Sequence, residues 1–111
     1  MALDHAIDAL RAAPNPAKPA LLAVLEKTPC KTPEVCALRS LCTSGYSKHL
    51  AAVAATGRAK SLLASPDGDT RASIEAAEEL TRAERELVES KSLTARCASE
   101  QGALRRRSKP K

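Results

Sequence analysis

Cysteine thiols are the only concentrated chemistry in this 111-residue chain: Cys30, Cys36 and Cys42 form a cluster and Cys97 stands alone. Thiols can bridge one another, ligate a metal, or attack as thiolates, and their spacing discriminates among these. A structural zinc site presents ligand pairs two to four residues apart, so that two thiolates share one turn. The spacing here is Cys-x5-Cys-x5-Cys, which offers no such pair, even with His49 or His5 in reserve. Redox catalysis needs Cys-x-x-Cys or an activated thiolate, and neither is visible. An even number of cysteines in a short chain points instead to disulfides. We therefore expect two bridges, no metal and no cofactor. A zinc-binding helical protein is the alternative for the same residues.

Geometry narrows the pairing. Cys36 and Cys42 are six apart on one helical pattern, hence ~9 Å apart along its axis, and cannot bond to each other. Two connectivities remain. Cys30–Cys36 with Cys42–Cys97 is the preferred one, because it needs only a short reach at the helix start and sets Cys42 and Cys97 both on the seam between the long helices. Cys36–Cys97 with Cys30–Cys42 matches the helical register slightly better, but makes Cys30 run back about two turns.

No catalytic constellation accompanies the cysteines. His5 and His49 each fall singly on helical patterns, where a histidine is ordinarily a packing residue, and no Ser-His-Asp order can be argued from them. The chain is not expected to be an enzyme. Its second visible feature is the basic tail, Arg105, Arg106, Arg107, Lys109 and Lys111, in a chain of net charge +5. Such a run could bind nucleic acid, an anionic membrane surface or an acidic partner. Against this, Glu75, Glu78, Glu79 and Glu84 crowd the start of the last helix while Lys91, Arg96 and the arginines crowd its end, a gradient that complements the helix dipole. With Tyr46 alone, the chain has no set of aromatic side chains to stack on successive bases. The tail is expected to be a solvated end.

The elements that must position these residues read as helices throughout. Leu3, Ile7 and Leu10 share one face of a short first helix, with Asp4 as its cap. A second short segment runs from Ala17 to Lys27. Both are too short to be stable alone. Thr32 (N-cap), Pro33 (first helical position) and Glu34 (at the positive dipole end) then start a long helix that meets no proline until Pro66. Gly45 and Gly57 weaken it by about 1 kcal/mol each without ending it. Pro66-Asp67-Gly68-Asp69 is turn chemistry. The last helix carries two heptad rows, Ser73-Leu80-Leu87-Thr94-Gln101 and Ala76-Ala83-Ser90-Cys97-Leu104, and its partner offers Gly45, Ala52 and Ala59 at the same interval. Folding at the turn brings Cys97 back beside the cluster.

Composition fits a stapled hairpin. There is no Phe or Trp, and Tyr46 is the only aromatic residue, so apolar bulk is scarce. Disulfides at roughly 2–4 kcal/mol each would offset that shortage. No segment approaches the ~20 apolar residues of a membrane span. The opening Met-Ala-Leu-Asp-His lacks the basic start and apolar run of a signal peptide; oxidised cysteines would then require a leader not present in this chain. The twin-cysteine helical hairpins of the mitochondrial intermembrane space are similar in outline, but their Cys-x9-Cys pairs are absent and no motif residue carries over.

The expected protein is all-α: a long antiparallel helical hairpin with two short N-terminal helices packed near its open end, stapled by disulfides. It forms one helical domain over 1–104 (short helices 1–31, long helix 32–64, turn 65–69, long helix 70–104), followed by the tail 105–111. The expected function is a non-enzymatic structural or protein-interaction module, periplasmic or secreted, whose partner is another protein. The alternative is a cytoplasmic nucleic-acid-binding or scaffold protein that uses the basic tail.

Overall fold

The computed structural model of the chain describes residues 2–64 and 70–108. The turn expected over 65–69, and Lys109 and Lys111 of the tail, lie outside the described residues. Within them the chain is helical, without strands: α1 (Ala2–Ala12), a short 3-10 turn (Asn15–Ala17), α2 (Lys18–Lys27), α3 (Pro33–Leu63) and α4 (Thr70–Ser108). The molecule measures 64 × 22 × 19 Å, a rod whose length is that of the α3–α4 hairpin.

Local chemistry explains the helix limits. Thr32 stays extended and its hydroxyl accepts the Val35 amide at 3.2 Å, with Pro33 following at the first helical position. That arrangement satisfies a backbone donor no carbonyl can reach. Asp4 does not cap α1, because the helix already begins at Ala2 and Asp4 lies inside its first turn. α4 continues to Ser108, four residues past Leu104, so the arginines of the tail are helical.

Two regions of packing differ in kind. At the open end Leu3, Ile7 and Leu10 of α1 join Leu22 and Leu25 of α2, Leu38, Cys42 and Tyr46 of α3, and Cys97 of α4 in one buried cluster. Farther along, the hairpin has no third layer and is held by a seam of small side chains: Ala52, Ala55 and Ala59 against Ala76, Ala83 and Ser90. The helices approach closely at Gly45, where an added Cβ would lie 3.1 Å from the Thr94 backbone nitrogen and 3.2 Å from the Leu93 carbonyl carbon.

This closeness corrects the expected seam. Of the two heptad rows on α4, the small-residue row faces α3, whereas Leu80 and Leu87 remain 41% and 38% exposed and Ser73 is exposed. Helices this near each other have no room for leucine between them, so Leu80 and Leu87 are displaced to the rim, while Thr94 and Gln101 of the same row pack inward.

Candidate functional site

Cys42 bonds to Cys97, and both are fully buried in the core cluster. The bridge ties α3 to α4 with their Cα atoms 5.0 Å apart, one helical turn from the Gly45–Thr94 approach. Cys30 bonds to Cys36 and fastens the α2–α3 link to the first turns of α3. Both of its cysteines are partly exposed. No cysteine is left free, so the thiolates that zinc would need are consumed. Among the described residues no group of three or more His, Cys, Asp or Glu is arranged to hold a metal ion. Nor is any helix among them long and apolar enough to cross a membrane.

The tail is not simply a solvated end. Arg105 donates from Nε to Asp4 at 2.8 Å and also bonds Asp8, so it straps α4 to α1. One turn earlier, the buried Gln101 donates to Asp4 and Asp8 and accepts from Arg11 at 2.7 Å. Burial alone would raise the Asp4 carboxyl, but the bonds from Arg105 and Gln101 outweigh it and hold the group below its usual range. Arg107 reaches Glu34 at 3.3 Å. Arg106 is exposed and has no ion-pair partner among the described residues.

Polar contacts also fix the cap that α1 and α2 form over the open end. Lys18 is buried, donating from Nζ to the Leu10 carbonyl at 2.8 Å and to that of Arg11 at 3.3 Å, with Tyr46 beneath it 5.6 Å from the ring centroid. Its ammonium thus serves the end of α1, where unpaired carbonyls concentrate negative charge. His49 bonds Asn15 at 2.9 Å; partial burial lowers its basicity, and the charge of Lys18 adds to the effect. His5 is exposed on α1.

Above the His49–Asn15 contact the α3–α4 groove is open. Val53, Leu80 and Leu87 line it, with Lys60 and Glu84 on its rims, around a space of about 570 Å³. Other carboxylates of α4 cross to α3, although Glu79 also pairs with Arg82 and Glu75 with Arg71 along their own helix. Arg58 bonds Glu79 at 3.0 Å and holds its carboxyl low, while Lys48 binds Glu89 at 2.7 Å and Glu86 at 3.5 Å, and is itself pushed up. Reading the sequence alone missed the Gln101 cluster and this groove. Gln101 gave one available signal, a large polar residue in a heptad row.

The arrangement offers an apolar groove with ionic rims. No protein-family model, curated protein or solved structure matches the chain.

Proposed function

We propose that the chain is a non-enzymatic protein-interaction module working in an oxidising compartment outside the cytoplasm, a periplasm or an extracellular space. The α1–α2 cap and the two disulfides stiffen the open end, and the far half of the hairpin is the part offered to a partner. One observation carries this reading: Val53, Leu80 and Leu87 stay partly bare and are gathered along one groove with Lys60 and Glu84 on its rims. Apolar side chains aligned in a groove and rimmed by charge mark an interaction surface. The disulfides support the compartment, because reducing cytosols do not maintain such bridges.

The nucleic-acid reading loses support from the pairs that Arg105 and Arg107 already make with Asp4, Asp8 and Glu34. Two observations on the protein in its native cells test the proposal. Rapid acid trapping and alkylation should find no free thiol, and a photoreactive side chain at position 87 should give a discrete protein adduct. Four free thiols, or no adduct beyond that of a control at exposed Arg106, would overturn it.

A further inference from the structure

We infer that the groove's occupant is a second copy of this chain, docked upside down to make a four-helix arm; this rests on the interaction-module reading. The groove continues a layer the protein already fills. On α4, Gln101 lies under α1, bonded to Asp4 and Asp8, and Leu87 and Leu80 succeed it on the same heptad row with nothing above them. The cap ends where Asn15 meets His49, and from there to Lys60 the groove runs eleven residues, about 16 Å or three turns.

An inverted copy fits that interval. Gly45 lies beside Thr94 and Arg58 beside Glu79, so Leu80 is level with about residue 58 of α3 and Glu84 with about residue 54, each residue rising 1.5 Å. A two-fold axis crossing the groove near residue 56 then sets Leu80 of each copy beside Val53 of the other. Each cap falls past the opposing groove, near Leu63, so the caps do not collide. The same operation brings Lys60 within about one turn of Glu84 of the second copy. These two rim charges have no ion-pair partner among the described residues, whereas Glu79, Glu86 and Glu89 do. The surface is therefore self-complementary, as an isologous interface requires. Three turns per copy is a short contact and places the dimer at the weak, reversible end.

Sedimentation of the full chain from about 10 µM to about 1 mM tests this, the range in which weak dimers dissociate. The expected result is a rise toward twice the monomer mass. Leu80→Glu should remain monomeric with an unchanged helical signal, because that side chain lies on the rim of its own hairpin and beside Val53 of the second copy. Lys60→Glu and Glu84→Lys should each weaken association about tenfold or more, and the double variant should restore it. A monomer throughout overturns the second-copy assignment and leaves the interaction module to its own test in cells. Association that Leu80→Glu does not weaken, or that the double variant does not restore, also overturns it.

Discussion

Glycines 45 and 57 share one helix and stand in opposite relations to the partner helix. A Cβ at Gly45 would meet the Thr94 methyl at 3.0 Å and main-chain atoms of Leu93 and Thr94, while a Cβ at Gly57 meets nothing within 4 Å. Backbone cannot step aside as a flexible side chain can. Gly45→Ala should therefore force the helices apart, costing about 1–3 kcal/mol and outweighing the ~1 kcal/mol gained in helix propensity. Gly57→Ala should stabilise by about 0.5–1 kcal/mol. Denaturant titrations should give opposite signs; a Gly45→Ala variant as stable as the parent would show that the contact is looser than described. Asp4 supplies a pH test. Its folded carboxyl lies below the ordinary range because Arg105 and Gln101 bond the ionised form and outweigh its burial. Its contribution is thus present above about pH 4, the unfolded value, and is lost as pH falls through the lower folded value. Melts from pH 5 to pH 2 should show Asp4→Asn with a shallower acid loss than the parent. Parallel curves would remove Asp4 from that role.

At the scale of elements, what could be read in advance depended on how local its cause was. Thr32, Pro33 and Glu34 announce α3, and their effects act within a turn, so the helix start was legible. The strap on α1 was not, because Arg105 and Asp4 are 101 residues apart and no pattern along the chain links them. The α4 seam failed for another reason. Hydropathy favours Leu80 and Leu87 for the interior, but the distance between helices is set by Gly45 and the alanines, and at that distance only small side chains fit. Pairing of Cys42 with Cys97 was the preferred of two choices and is the one found, although spacing alone excluded only Cys36–Cys42. The groove could not be seen at all, because it depends on where the α1–α2 cap stops. The strap leads to an expectation opposite to that of a solvated tail. Deleting 105–111 should lower the melting temperature by a few degrees, about 2–6 °C for a chain of this size. It should also add nothing to the loss seen in Asp4→Asn with Asp8→Asn. An unchanged melting temperature would show that the strap is idle.

For the molecule as a whole, the two disulfides have different duties. Cys42–Cys97 closes a loop with sequence separation 55, against 6 for Cys30–Cys36. In the chain-entropy description these are worth about 4 and about 2 kcal/mol. Burial reverses the order of attack, since a thiolate reductant can reach Cys30 and Cys36 without unfolding but cannot reach the core bridge. Mild reduction followed by alkylation and mass mapping should label Cys30 and Cys36 first, and Cys42 and Cys97 only as helicity is lost. Simultaneous labelling would mean that the open end breathes as one unit. The alanine seam has a final, thermal consequence. Its cohesion comes from backbones brought close and not from large apolar surfaces taken out of water, and only the latter raises the heat capacity of unfolding. Calorimetry should therefore give a heat-capacity increment below the usual ~12–15 cal/mol/K per residue, and a stability curve that is unusually flat with temperature. Such a rod would hold its shape about as well in the cold as in the warm.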